Sequence, residues 1–416
     1  MVNPLAVAVL GVLLLALVTV AAVRVPRTGP PPSRAAQRRA LAELPDEQVA
    51  RGRAFTAARR PPFYLSMLVS AAVVAALGLT PAGARVVEAV AGAVGGHWLA
   101  AAVLGGLVVV FIVQFAGLPL AAWRHRITVR HGLSEQSWRA WAGDVLKAYA
   151  VTAVLGALLL AGFFTVARLF PQWWWAVAAT GAAAVVVLLS FVFPVLVEPV
   201  FNRFTSMPAG GLRDELMALA ARDGLPVRDV LVADASRRTR AVNAYVSGLG
   251  PTRRIVVYDT LLAQVPPDQV VSVVAHELAH AKHRDVATGT MLGALGAAAA
   301  VVAIALLGGW QPLLRAAGVD SVTEPAAVAL LLAVVTVVGL AAGPAQAWFS
   351  RRIEARADAH ALALTGDADA FAAMQARLAA INLSDPDPPR VEHLLFASHP
   401  STVQRIAAAR AHVRKG

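Results

Sequence analysis

Cysteine is absent from this chain of 416 residues. Its absence excludes disulfides, thiol catalysis and cysteine-ligated zinc. Charge is scarce too. Only 15% of residues are charged, with 37 Lys plus Arg against 25 Asp plus Glu. Soluble domains carry about a quarter charged residues, so the composition speaks against an ordinary soluble globule. Arginine supplies the positive charge almost to the exclusion of lysine, and alanine and valine are abundant. That bias points to a GC-rich, bacterial source. Apolar residues fill the space: 58% of the chain is hydrophobic and the mean hydropathy is +0.63.

The apolar residues are gathered into long runs. Pro4–Val23, Phe63–Thr80, Trp98–Trp123, Ala148–Phe170, Trp173–Val197, Ala287–Trp310 and Ala326–Ala347 are the candidate spans. Each covers, or nearly covers, roughly 30 Å of hydrocarbon at about 1.5 Å per helical residue. Pro81–Gly96 is apolar but carries Arg85 and Glu88 and reads as an outer-side or interfacial segment. The first run lacks a basic leader and exceeds the apolar core of a signal peptide, so it reads as an uncleaved anchor.

The arginines set the orientation. Arg24, Arg27, Arg34, Arg38, Arg39, Arg51, Arg53, Arg59 and Arg60 follow the first run, and Arg124, Arg126, Arg130 and Arg139 follow the third. Glu198–Val286 and Trp348–Gly416 are also basic, whereas the alternate connections hold little beyond Arg85, Arg168 and Arg315. With seven spans, every basic segment falls on one side. The positive-inside rule makes that side the cytoplasm and leaves the N-terminus outside. The net charge of +12 is therefore a topology signal, with some arginines meeting anionic lipid, and nucleic acid is not an expected partner.

Between the fifth and sixth runs the pattern changes. Gly211–Gly224 has helical spacing, Arg228–Ala233 and Ile255–Tyr258 read as strands, and Val242–Val246 is a further candidate. Pro266-Pro267-Asp268 opens a helix with proline and an acid where a first turn favours them. That helix carries His276-Glu277-Leu278-Ala279-His280. Histidines four apart share a helix face, so both imidazoles can meet one metal ion. Glu277 points off that axis, toward water held beside the metal. His283, three residues on, reads as an outer or surface histidine, because a fourth protein ligand would close the site.

Two crossings follow the helix, and an even number returns the chain to the side it left. Beyond the seventh run stand Glu354 and Asp358, four apart on one helical face. Glu354 fits a third ligand, with the fourth position left for water. Asp358 fits a partner that fixes the tautomer of a ligating imidazole.

These pieces, with Gly132–Gln136, Glu198–Phe204, Asp234–Arg238, Asn243-Ala244-Tyr245, Arg254–Leu262, Ser398-His399-Pro400 and Arg405 in order, resemble the M48 family of integral-membrane zinc metallopeptidases, in its type I CAAX prenyl protease branch. The resemblance implies a mainly α fold: seven transmembrane helices around a water-filled chamber, with a small α+β gluzincin-type peptidase portion on the cytoplasmic side. It divides the chain into an N-terminal transmembrane region, 1–197, and a peptidase region, 198–416, that includes the last two spans. It implies one Zn²⁺ per chain on His276, His280 and Glu354, with Glu277 as general base. His399 and Arg405 become oxyanion donors, and Asn243, Ala244 and Tyr245 a substrate-binding strand. The implied partner is a peptide or protein substrate, lipidated in the eukaryotic branch, met in the plane of the membrane lipid. Asp285 matches an acidic family position that supports the metal helix. Cleavage of damaged membrane proteins is the alternative activity, and a non-catalytic membrane scaffold the alternative class.

Overall fold

The computed structural model describes residues 3–248 and 250–413. Seven helices among the described residues are long and apolar enough to cross a membrane: Pro4–Arg24, Asp46–Gly78, Trp98–Arg130, Trp138–Leu169, Trp174–Val192, Asp285–Leu307 and Pro325–Thr365. They are spans 1 to 7. Hydropathy located all of them, yet spans 2, 3, 4 and 7 run well past the apolar stretches read from sequence. An apolar run marks the part of a helix that meets lipid, whereas the helix itself continues wherever packing sustains it.

Span 2 is the clearest case. It runs unbroken through Pro61 and Pro62, although proline removes a helical N–H and crowds the preceding turn. Buried residues brace both sides of the pair. Phe55 packs with Ile127, Leu133 and Leu383 before it, and Val74 is buried after it. The segment expected at the interface is a helix, Ala82–Ala93. Its Val87 packs against Val109 and Ala329 of spans 3 and 7.

Outside the spans lies a four-stranded sheet: β1 (Phe204–Ser206), β2 (Asp229–Ala233), β3 (Ala244–Ser247) and β4 (Arg254–Tyr258), in the order β1-β2-β4-β3. β2 and β4 are parallel, and the other two pairings are antiparallel. β1 has no signature in the sequence, because three residues give no readable alternation. β3 is an edge strand, paired on one side only.

The helix Pro267–Lys282 packs on this sheet. Val270, Val274 and Leu278 are wholly buried among Leu216, Ile255, Val257 and Phe371. Burying each such side chain stabilises by about 1.5–3 kcal/mol. The helix ends at His283, and Arg284 then turns in the left-handed region, φ 57°. Span 7 completes the frame. Its α-helix, Val328–Thr365, has 38 residues and is about 57 Å long. Almost half therefore projects beyond a hydrocarbon layer of about 30 Å. Gly366, at φ 70°, ends it by taking the left-handed turn that a side chain disfavours.

Candidate metal centre

The metal helix and the projecting end of span 7 meet side by side. His276, His280 and Glu354 each turn one donor atom toward a common point, all within 4.8 Å of one another. His276 Nε2 is 3.2 Å from His280 Nε2 and 3.1 Å from Glu354 Oε2. His280 Nε2 is 3.5 Å from Glu354 Oε1. Tetrahedral ligands about 2.0–2.1 Å from zinc stand about 3.3 Å apart. The donor set and its spacing thus fit a divalent ion of that size.

The second nitrogen of each imidazole is held. His276 Nδ1 donates to Asp358 Oδ1 at 2.9 Å, and Asp358 also receives the Nε of Arg405 at 2.9 Å and its Nη2. Arg405 Nη2 lies 3.3 Å from His276 Nδ1 as well. A nitrogen whose N–H points at Asp358 cannot also accept from arginine, so the Asp358 bonds hold the geometry. His280 Nδ1 donates to Asp285 Oδ2 at 2.9 Å, and Asp285 pairs with Arg356. Each histidine therefore presents its Nε2 inward.

Charge at the site follows from this burial. Desolvation pulls the His276 imidazole down, but its hydrogen bonds to Asp358 and Glu354 prevail and raise it to about 9 in the metal-free protein. Burial lifts the Glu277 carboxyl above its ordinary range, partly offset by His276 and His280. Burial also lowers His399. For Arg405 desolvation acts downward, and Asp358 overcomes it and raises the guanidinium.

Glu277 makes no hydrogen bond among the described residues. It lines two cavities at once. The larger, about 1730 Å³, is walled by spans 1, 5 and 6 and by β3 and β4. The smaller, about 510 Å³, also holds His276, His399, Arg405, Asn243 and Ala244. The sites read from sequence are therefore brought together. Tyr245 faces the larger cavity, where its hydroxyl donates to Glu198 Oε2 at 3.0 Å. His399 Nε2 lies 3.3 Å from Glu354 Oε2. That contact needs an Nε2–H, so the Ser398 hydroxyl donates to Nδ1 at 2.7 Å.

The sequence left some of this out. Arg405, expected at the oxyanion, has its fork on Asp358. Asp285 has a direct partner in His280, five residues back. His393 had no motif around it, yet its Nε2 contacts the His399 carbonyl at 3.0 Å. His283 stands edge-on to His360, with ring centroids 5.2 Å apart, outside the cradle as expected.

A cradle of this donor set beneath seven apolar helices defines an integral-membrane metallopeptidase. Comparison with known proteins agrees. Residues 206–413 match the profile of peptidase family M48, and residues 32–203 match the CAAX prenyl protease N-terminal region of five membrane helices. The chain belongs to peptidase family M48. It is 28% identical over 305 residues to the CAAX prenyl protease 1 homolog of Arabidopsis thaliana, covering 71% of this chain and 70% of the relative. It is 27% identical over 302 residues to the uncharacterized metalloprotease YhfN of Bacillus subtilis, covering 72% and 70%. The crystal structure of S. mikatae Ste24p has the same fold, with a TM-score of 0.77 at 20% identity, over 98% of this chain and 99% of that one.

Proposed function

We propose that this chain is a zinc endopeptidase that cuts peptides within the membrane plane, with His276, His280 and Glu354 as ligands. The observation that carries the proposal is the spacing of three donor atoms beside a carboxyl that faces both cavities. Zinc bound there supplies Lewis-acid polarisation of the scissile carbonyl and of water. Glu277 takes the proton of the attacking water and passes it to the departing amine. A carboxyl raised by burial suits that exchange. His399 donates its Nε2–H to the oxygen that gains charge at the carbonyl. Arg405 acts one step back, holding Asp358 against His276. The outer edge of β3, which the chain enters at Asn243 and which carries Ala244 and Tyr245, is unpaired, and an extended peptide adds to it by backbone hydrogen bonds.

The substrate class follows from the larger cavity, whose walls include Leu13, Trp175, Ala183, Val187 and Met291. It suits a peptide joined to a long apolar group, and relatives named CAAX prenyl protease support that reading. The two family matches meet between residues 203 and 206, which supports division into 1–197 and 198–416. The arginine distribution supports an N-terminus outside and the metal centre toward the cytoplasm, in a bacterial cell membrane.

The test is the purified Glu277→Gln variant. Its cleavage of a prenylated peptide should fall by about 10²–10⁴ while it keeps one zinc per chain by elemental analysis. Equal cleavage by variant and parent would overturn the assignment.

A further inference from the structure

The larger cavity is apolar along the spans but not at its peptidase end. Arg253, Arg254 and Arg284 line it there, together with Glu277 and His280. None of the three makes an ion pair or a side-chain hydrogen bond among the described residues. Arg213, Arg238, Arg356, Arg405 and Arg410, by contrast, hold carboxylates. The nearby acid on the same lining, Glu198, is engaged by Tyr245 instead.

Their places relate them to the substrate edge. Arg254 opens β4 and stands opposite Ser247, the last residue of β3. Arg284 lies four residues past His280, held into the cavity lining by the left-handed turn between the metal helix and span 6. β3 itself passes from one cavity to the other. Ala244 lines the smaller one, and Tyr245, Val246 and Ser247 line the larger. A peptide extended along β3 past the metal therefore reaches Ser247 about three residues, or roughly 10 Å, from its reacting bond.

We propose that Arg253, Arg254 and Arg284 form a selectivity subsite for an acidic side chain of the substrate, about three to four residues from the scissile bond on the flank that lies in the larger cavity. The inference rests on the endopeptidase reading of the metal centre. Three unpaired cations at the wall of a partly apolar cavity attract a carboxylate and repel an ammonium more strongly than in open water. Selectivity arises from both effects. The same cations suit the phosphate of an anionic lipid, but their share in the wall beside Glu277 favours the peptide.

The experiment uses the full chain, zinc-loaded, in uncharged detergent. A neutral peptide with a fixed cleavage point is varied to Glu or Lys, one position at a time, on both flanks. Glu at one or two adjacent positions on a single flank should raise kcat/KM roughly three- to tenfold and Lys should lower it, with the ratio shrinking as salt rises. In Arg253→Gln/Arg254→Gln the ratio of acidic to neutral peptide should fall toward one, and Arg254→Glu should shift preference to Lys. Metal-dependent cleavage with no positional charge preference overturns the subsite and leaves the metal centre standing. Cleavage raised by anionic lipid vesicles irrespective of peptide sequence overturns it in favour of a lipid site. Failure to cut any peptide with zinc bound overturns the endopeptidase reading itself.

Discussion

Two imidazoles and a carboxylate at tetrahedral spacing crowd three polar groups into a buried volume, and the protein without metal must hold them by other means. It does so with a proton. The raised His276 imidazole shares one with Glu354, and metal binding must displace it. A group raised from 6.5 to about 9 stabilises the metal-free fold fully below about pH 6.5, and that contribution is lost as pH rises through about 9. Metal competes with the same proton, so zinc affinity should rise by up to tenfold per pH unit toward pH 9, with proton release measurable by calorimetry in buffers of different ionisation enthalpy. Affinity independent of pH between 6 and 8 would contradict this. Asp285 is the second residue-scale test. Asp285→Asn weakens the acceptor that aims His280, and zinc affinity should drop about 10–100-fold in competition with a chelator, with no new group placed near the ion.

At the scale of elements, the centre depends on the phase of one long helix. Glu354 and Asp358 reach the metal helix because the helix of span 7 continues without a break past Ala347. Each residue turns an α-helix by about 100°. Inserting two alanines after Ala347 rotates everything beyond by about 200° and points both carboxylates away from His276. The variant should retain its helical circular dichroism and lose its zinc by elemental analysis. Full metal content in a folded variant would show that Glu354 is not held by helix phase. Packing rather than propensity maintains such elements, as the passage of span 2 through Pro61 and Pro62 illustrates. A sequence reading stops at that pair because local rules price each proline singly. The bracing residues Leu133 and Leu383 are remote in sequence and cannot be weighed there. Asp285 was undervalued for a related reason. Its spacing from His280 is visible, but whether its carboxyl turns to the imidazole depends on the left-handed turn at Arg284, and no local rule places a non-glycine residue there.

For the whole molecule, the arginine asymmetry makes a topological prediction that the absence of native cysteine renders easy to read. Arg39 and Arg315 are both exposed. A thiol introduced as Arg315→Cys should react with a membrane-impermeant maleimide on intact cells. One introduced as Arg39→Cys should react only after permeabilisation. The reverse pattern would place the metal centre outside.

What the sequence by itself determined is whatever rests on short-range spacing or bulk transfer free energy. The spans follow from apolar length, the side of each loop from its arginines, and the shared face of His276 and His280 from the helical period. The partnership of Glu354 with those histidines was legible only because two crossings are an even number. Tertiary structure alone decided between the oxyanion and Asp358 as the partner of Arg405, and alone decided that His280 leans on Asp285, that Glu198 meets Tyr245, and that both cavities are lined by Glu277. Each of these is a contact between side chains whose distance is set by how helices and sheet pack in three dimensions, and no periodicity in one dimension encodes it.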